Sequence, residues 1–220
     1  LSVSFSGGTD GSALTTAEVI DAYDTFKSAE DVDMSLITTA AHGSTVVRHV
    51  INQVAEVRKD CIAFFSPEKT DVVGVSNSST ATDNVTTYRD TVNMNSSYAV
   101  MDSGWKYMFD KHNDKYRYVP LNGDVAGLCA HTDQVRDPFW SPAGFTRGQI
   151  KGVVKLPFNP KKAERDKLYS SGVNPIVSFP GEGVVMFGDK TQLTKPSAFD
   201  RINVRRLFIL LEKAIANAAR

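Results

Sequence analysis

Short apolar runs alternate with amphipathic stretches over the first ~70 residues of the chain. The segments VDMSLITTA and CIAFFSP are nearly continuous apolar runs, which is typical of strands that are buried on both faces. The opening segment LSVSF also resembles the inside of a strand, and a helix is predicted from Thr15 or Thr16 to about Ala29. This alternation of strands and helices predicts an α/β fold, mainly a parallel sheet flanked by helices.

A second helix is predicted between the two apolar runs, over STVVRHVINQVAEVRKD. Its apolar side is predicted to consist of Val46, Val47, Val50, Ile51, Val54 and Val57. Further helices are predicted near Val85 to Val92, over LNGDVAGLCAHTDQVRD, and over NPKKAERDKLYSSG, where Gly172 ends the helix.

Two segments of the second half predict β-hairpin additions to this core. In GWKYMFDKHNDKYRYVP, aromatic residues alternate on both sides of KHND, which predicts a hairpin with one aromatic face and an exposed charged tip. Within its first strand we assign Trp105 and Tyr107 to opposite faces. The segment NPIVSFPGEGVVMFGDKTQL predicts a second hairpin that turns at PGEG.

The last segment, SAFDRINVRRLFILLEKAIANAAR, has the most regular helical pattern in the chain. Its predicted apolar stripe consists of Val204, Leu207, Phe208, Leu211 and Ile215. Its charged residues lie mostly off that stripe: Arg201, Arg205, Arg206, Glu212 and Lys213. Cations early in a helix oppose the macrodipole, so these arginines are expected to have partners, either carboxylates of the same domain or solvent, or an acidic surface of another chain.

The charge balance argues against nucleic acid or an anionic membrane as a partner. Lys plus Arg and Asp plus Glu both number 25 in 220 residues, so the whole chain creates no net attractive field. No apolar run approaches the ~18 residues that a membrane span needs. Cys61 and Cys129 lie in apolar contexts without metal-ligand spacing, which predicts buried free thiols in a reducing compartment.

No catalytic, cofactor or metal site is predicted. The four histidines, His42, His49, His112 and His131, do not pair at the i, i+4 spacing of a helical metal site. The glycines of SFSGGTDGS lack the spacing of a phosphate-binding loop. No G-x-S-x-G is present, and Ser141 precedes a proline. We predict a protein without enzymatic activity and keep a divergent hydrolase on an α/β core as the alternative.

The loop RDPFWSPAGFTRGQIKG, from Arg136 to Gly152, has the richest mixture of residue types found at protein–protein hot spots. Prolines are expected to stiffen it, glycines to let it turn and aromatic rings to anchor it: Pro138, Pro142, Gly144, Gly148, Phe139, Trp140 and Phe145. Packing on its own domain and contact with another subunit both remain open. The candidate protein-interaction residues of the chain are Arg201, Arg205, Arg206, Lys213, Arg136 and Arg147.

Several long motifs follow one another in an order that resembles a known family. They are VPLNGDVAGLCAHTDQVRDPFWSPAGFTRGQIKGVVKL, ERDKLYSSGVNPIV, GEGVVMFGDKT and SAFDRINVRRLFILLEKAIA. The opening SFSGGTDG, followed by a helix and VDMSLI, is similar to the start of the same family's core domain. On these motifs the chain resembles, over essentially its whole length, the contractile tail sheath proteins of myophages, which are related to the sheaths of R-type pyocins and type VI secretion.

The resemblance implies a fold and a role. The implied fold is an α/β core of subtilisin-like topology without a working protease triad, with residues 1–220 forming one sheath core domain of a longer subunit. The chain begins without Met and ends without a helix-stop residue, so we expect the N-terminal arm and C-terminal region of the family to be absent. The implied role is structural: subunits stack as hexameric rings around a tail tube and contract to drive the tube through the host envelope.

The resemblance also implies partners and a location. The partners are other sheath subunits, the tail tube protein, and baseplate and tail terminator proteins. The location is the tail of the virion, after assembly in the cytoplasm of the host bacterium. At least one of Arg201, Arg205 and Arg206 is expected to contact another chain in the extended sheath. Residues 1–220 alone are expected to form a monomer or a weak oligomer, because strand exchange through the arms links subunits in this family.

Overall fold

The computed structural model describes residues 7–8 and 11–219. The strand predicted at LSVSF lies outside the described residues, and so does part of the glycine-rich SFSGGTDGS.

Four short parallel strands form the central sheet. They are β1 (Leu36–Thr38), β2 (Ile62–Phe65), β3 (Ala99–Asp102) and β6 (Val173–Asn174), in the order β1-β2-β3-β6. The register is marked by Phe64 of β2, which lies between Thr38 of β1 and Val100 of β3. Strands β2 and β3 are buried along their whole length, as strands of a covered parallel sheet are. The predicted α/β class with a parallel sheet is confirmed.

Helices connect and cover these strands. They are α1 (Thr16–Asp24), α2 (Ser44–His49), α3 (Glu56–Arg58), α4 (Lys69–Val72), α5 (Ser78–Val92), α6 (Asn122–Val135), α7 (Lys162–Ser170) and α8 (Ile202–Ala218). A π-helical segment, Val50–Ala55, joins α2 to α3, and a 3-10 turn, Ala198–Asp200, precedes α8. Helix α2 packs on α5 and α5 on α7, whereas α6 packs across β1, β2 and β3.

Local signals set the start of α1 and the end of α7 where the pattern predicts them. Helix α1 begins with a capping box, in which the Thr15 hydroxyl accepts from the Glu18 N–H and the Glu18 carboxylate accepts from the Thr15 N–H. It ends at Asp24, earlier than the predicted Ala29. Gly172 has a φ of +82° just beyond α7, so the predicted glycine stop is confirmed.

The second predicted helix departs from its pattern at one position. Val50, Ile51 and Val54 are fully buried as expected, but Val57 is 62% exposed. The intervening π-helical segment has a wider turn than an α-helix, so residues after it face a different direction from the one that α-helical spacing predicts. The assignment of Val57 to the apolar side is therefore wrong.

Both predicted hairpins are present. They consist of β4 (Trp105–Asp110) with β5 (Lys115–Pro120), and of β7 (Ile176–Phe179) with β8 (Gly183–Met186). Their tips lie at 111–114, where every residue is exposed, and at 180–182. Trp105 and Tyr107 share a face because residues two apart in a strand point to the same side, so their assignment to opposite faces is wrong. The Tyr107 ring lies 4.8 Å from that of Tyr118, its cross-strand partner.

A buried polar network fills the carboxyl edge of the parallel sheet. The Asp102 carboxyl group accepts from the Ser66 hydroxyl at 2.7 Å and from the Gly104 N–H at 2.8 Å. The Ser66 hydroxyl in turn accepts from the Asn122 N–H at 3.0 Å. Open α/β sheets commonly bind ligands at this edge, whereas here protein groups satisfy one another. The network thus joins the ends of β2 and β3 to the start of α6.

Asp102 makes stability depend on pH. Burial raises the pKa of its carboxyl to about 8, against the opposing effect of the hydrogen bonds from Ser66 and Gly104. The folded state then keeps a proton that the unfolded state has lost, so this contribution is fully present below pH 3.8 and is lost as the pH rises to about 8. The slope approaches about 1.4 kcal/mol per pH unit.

We expect Asp102→Asn to flatten the fall in stability between about pH 5 and pH 8, because the amide has no proton to lose. Urea unfolding across this range measures the effect. Asp90→Asn is the matched control, since the Asp90 side chain is 70% exposed and should leave the slope unchanged. A wild-type slope that persists in Asp102→Asn would contradict the assignment.

Candidate protein-interaction site

Helix α8 turns a different side toward the core from the one that its pattern predicts. Its buried residues are Ile202, Arg205, Arg206 and Ile209. Of the predicted stripe, Val204 and Leu207 are half-buried, and Phe208, Leu211 and Ile215 are exposed. The stripe assignment is therefore wrong for those three residues. On this buried side the two isoleucines pack in the hydrophobic core, and the two arginines have partners elsewhere in the fold.

Arg205 is held between two aromatic rings. Its guanidinium carbon lies 4.3 Å from the ring centroid of Tyr98 and 4.1 Å from that of Phe199, and Nη1 donates to the Tyr98 hydroxyl at 3.1 Å. A desolvated cation over an aromatic face is stabilised by about 2 kcal/mol or more. With 9% of its surface exposed, Arg205 is part of the core rather than of an open surface.

Arg206 joins α8 to α6. Its guanidinium donates to the Asp133 carboxylate and, at 3.2 Å, to the Cys129 carbonyl. The Arg206 side chain is 7% exposed. Its positive charge is therefore buried, and the Asp133 carboxylate compensates it inside the fold. Burial raises the pKa of the neighbouring Cys129 thiol to about 12, which keeps it protonated. Cys61 is likewise a buried free thiol, so the predicted thiol state is confirmed for both cysteines.

The two remaining cations of α8 also have partners in the chain. Arg201, whose side chain is 40% exposed, pairs with Asp189 at 3.0 Å and donates to the Tyr169 hydroxyl. Lys213 donates to the Asp33 carboxylate at 2.8 Å and to the Met34 carbonyl at 3.1 Å. Partners in the same domain therefore account for all four α8 cations of the predicted set.

The two loop arginines flank one exposed indole. The guanidinium carbons of Arg136 and Arg147 lie 5.8 Å and 5.2 Å from the Trp140 ring. Trp140 is 45% exposed, and Arg147 Nε also donates to the Ser141 carbonyl at 2.8 Å. Two cations on one aromatic ring form a surface that can meet an anionic partner.

Backbone hydrogen bonds hold the loop that contains these arginines beside β8. Gly144 N–H donates to the Met186 carbonyl at 2.9 Å, and Met186 N–H donates to the Gly148 carbonyl at 2.8 Å, so the loop runs beside β8. The rings of Phe139, Trp140 and Phe145 are 54%, 45% and 44% exposed. The prediction that these rings anchor the loop is corrected for Phe139 and Trp140, whereas Phe145 packs on two rings outside the loop.

The structure assembles an aromatic cluster that sequence reasoning missed. Phe145 of the loop lies 5.2 Å from Phe179 of β7 and 5.8 Å from Phe187, which follows β8; the latter two are 5.4 Å apart. Phe145 and Phe187 are 44% and 42% exposed. The local signal was limited to single apolar residues, one within the loop and two at or just beyond strand ends, and such residues are also common in packed loops.

In the described part of the chain the Ser141 hydroxyl has no histidine partner, and no set of metal ligands is assembled. The Ser141 hydroxyl donates to Asp189 at 2.9 Å. No group of three or more His, Cys, Asp and Glu residues in 7–8 and 11–219 is arranged to hold a metal ion. Within the same residues, no helix combines the length and apolarity of a membrane-crossing segment.

Arg205→Lys is expected to lower the free energy of unfolding by about 1–2 kcal/mol, because an ammonium cannot stack between two rings as the planar guanidinium does. Urea unfolding at neutral pH measures the change. Arg48→Lys serves as the control, since Arg48 is exposed on α2 and should shift stability by less than about 0.5 kcal/mol. Equal effects of the two substitutions would show that the stacking adds nothing.

The described residues form a parallel-sheet core with a filled polar edge and with aromatic and charged patches on its surface. The chain belongs to the phage tail sheath protein family, whose central domain matches residues 13–192.

Two curated relatives are tail sheath proteins of bacteriophages. That of Vibrio phage KVP40 is 50% identical over 189 residues, covering 80% of this chain and 28% of the relative. That of Enterobacteria phage T4 is 40% identical over 234 residues, covering 99% of this chain and 35% of the relative. The chain thus spans about a third of the length of these proteins. The alternative of a divergent hydrolase finds no support in them.

Solved structures share the fold. The helical sheath of the anti-feeding prophage in its contracted state has a TM-score of 0.68 at 18% identity, covering 94% of this chain and 52% of that one. The contracted sheath complex of the extracellular contractile injection system PVC has a TM-score of 0.65 at 18% identity, covering 90% and 51%. At these identities the similarity concerns the fold alone.

Proposed function

We propose that the chain is a structural subunit of a contractile phage tail sheath, which polymerises as stacked hexameric rings around the tail tube and contracts to drive the tube through the host envelope. The observation that carries this proposal is the family match over residues 13–192. Relatives of 50% and 40% identity that are named tail sheath proteins support it. The subunit has no enzymatic role, and its place is the virion tail, after assembly in the host cytoplasm.

The proposal extends to domain and partners. Residues 1–220 act as one sheath core domain, and the parallel order β1-β2-β3-β6 is compatible with a subtilisin-like arrangement of that core. Other sheath subunits, the tube protein, and baseplate and terminator proteins are the partners. Among the predicted contact residues, Arg136 and Arg147 beside exposed Trp140 are the best placed to meet another chain. Arg205 and Arg206 are engaged inside the fold.

Immunogold electron microscopy tests the function. Antibodies raised against this chain are applied to virions of the phage that encodes it, before and after contraction is triggered. Labelling along the tail is expected in both states, with the labelled length shortened after contraction. Labelling restricted to the head, to the baseplate or to the naked tube would refute the proposal.

A further inference from the structure

The charged residues are distributed unevenly between the two halves of the chain, although the formal net charge is zero. Residues 1–100 contain 6 basic residues (Lys and Arg) and 13 acidic residues (Asp and Glu). Residues 101–220 contain 19 basic and 12 acidic residues. The equal totals therefore conceal an acidic half and a basic half. Charges that are divided in this way create local fields of opposite sign wherever the fold keeps them apart.

The acidic charge is concentrated around α1. Between residues 18 and 33 there are six carboxylates and one lysine: Glu18, Asp21, Asp24, Glu30, Asp31, Asp33 and Lys27. We call this segment the acidic face. Asp21, Glu30 and Asp31 are exposed, and no cation among the described residues lies within 4.0 Å of them. Their charge is therefore available to a partner.

The acidic face is fixed beside β1, at one end of the sheet order. The Tyr23 hydroxyl donates to the carbonyl of Thr38, the last residue of β1, at 2.8 Å. Arg58 donates to the carbonyls of Phe26 and Val32 at 2.7 Å each, which holds the turn after α1. Apolar surface accompanies the charge, since Leu14 is 74% exposed and Phe26 is 37% exposed.

The other end of the sheet order carries a complementary surface. Phe145, Phe179 and Phe187 cluster where β7 leaves β6, and Arg165 of α7 lies over the Phe179 ring at 5.5 Å. Arg165 and Lys162 line a groove of about 380 Å³ together with Phe187 and one carboxylate, that of Asp166. Neither cation has a carboxylate of the described residues within 4.0 Å. We call Phe145, Phe179, Phe187, Lys162 and Arg165 the aromatic–cationic patch.

We propose that the aromatic–cationic patch of one copy of the chain binds the acidic face of the next copy. The two surfaces lie beside β6 and β1, the opposite edge strands of the described sheet, so they are placed to join neighbouring copies. Exposed aromatic rings would meet Leu14 and Phe26, and Lys162 and Arg165 would meet unpaired carboxylates. A heterologous contact of this kind repeats from copy to copy and generates rings or helices. The inference rests on the proposed function, which requires such repetition.

Cysteine cross-linking of the purified chain tests the direction of the contact. Cys61 and Cys129 are fully buried, so introduced cysteines are the reactive ones. The variants are Lys162→Cys, Asp31→Cys and the chain with both changes, each treated with a short bismaleimide at high protein concentration and low salt. The doubly substituted chain should give a ladder of dimers, trimers and larger species. An equimolar mixture of the single variants should stop at dimers.

The cross-linking pattern distinguishes a head-to-tail contact between copies from a two-fold contact. Dimers from either single variant alone would indicate a two-fold contact and overturn the proposal, and so would the absence of a ladder from the double variant. Immunogold labelling of the tail sheath is independent of which surfaces touch. A failed ladder beside a labelled sheath therefore rejects this contact and leaves the proposed function standing.

Charge reversal in the chain that carries both Lys162→Cys and Asp31→Cys tests whether electrostatic attraction holds the two surfaces together. Arg165→Glu or Asp21→Lys alone should lower the cross-linking yield about tenfold, and the two reversals together should restore it, because the attraction is re-formed with opposite signs. Lys111→Glu at the exposed β4–β5 tip makes the same charge change away from both surfaces and should leave the yield unchanged. If the cross-linking yield depended only on the net charge of each variant, so that Lys111→Glu lowered it as much as Arg165→Glu, the proposal would be overturned.

Discussion

Asp124→Ala is expected to lower the free energy of unfolding by about 3–5 kcal/mol, because it leaves a buried ammonium without its counter-charge. Lys106 Nζ lies 2.8 Å from the Asp124 carboxylate, and the Lys106 side chain is 7% exposed. A second acceptor, the Lys151 carbonyl, lies at 3.5 Å and cannot replace a carboxylate. Urea unfolding at neutral pH measures the loss.

Two further variants show whether burial is the reason. Asp83→Ala breaks the exposed Asp83–Lys167 pair, whose side chains are 57% and 51% exposed, and should cost less than about 1 kcal/mol. Lys106→Met combined with Asp124→Ala should recover most of the stability, because no charge is then buried. If Asp124→Ala costs no more than Asp83→Ala, the buried pair has no special role.

Gly148→Ala is expected to lower the free energy of unfolding by about 1–3 kcal/mol and to displace the loop from β8. An added Cβ would lie 2.7 Å from the Gly144 nitrogen and 2.8 Å from the Met186 carbonyl oxygen. Both are backbone atoms of the hydrogen bonds that hold the loop, so no side chain can move away to relieve the contact. Chemical unfolding gives the energy, and Trp140 fluorescence, corrected for Trp105, reports the loop.

Gly127→Ala is the matched control for this substitution. Gly127 lies inside α6, and an added Cβ would have no atom within 4 Å. Because alanine favours the helix, this change should raise stability by about 0.5–1 kcal/mol. A loss of stability in both variants would mean that the clash at Gly148 is not the cause.

The loop also links stability to the proposed contact between copies. It carries Phe145, which packs on Phe179 and Phe187 in the aromatic–cationic patch. Gly148→Ala should therefore weaken cross-linking between copies as well as the fold, whereas Gly127→Ala should leave cross-linking unchanged. The same tight turn that fixes the loop positions a ring of the interaction surface.

The sequence by itself determined the elements whose signals are local. Thr15 with Glu18 predicts the start of α1, and Gly172 predicts the stop after α7, because a cap or a left-handed turn is made by residues a few positions apart. Apolar runs predict β1 and β2, and paired aromatic alternation predicts the first hairpin. The α/β class follows from these elements, and the order of longer motifs pointed to the sheath family.

Only the tertiary structure decided which faces those elements bury and which distant residues meet. Helix α8 has two sides that carry apolar residues. It buries the side on which Ile202 and Ile209 enter the core. On that side, Tyr98, Phe199 and Asp133 contact the two arginines, Arg205 and Arg206. The aromatic cluster likewise joins three segments that sequence spacing does not relate. The hydrophobic pattern of one helix or strand shows which of its sides could be buried. Which side is buried depends on the free energy of burying each cation or ring, and that depends on partners in other elements.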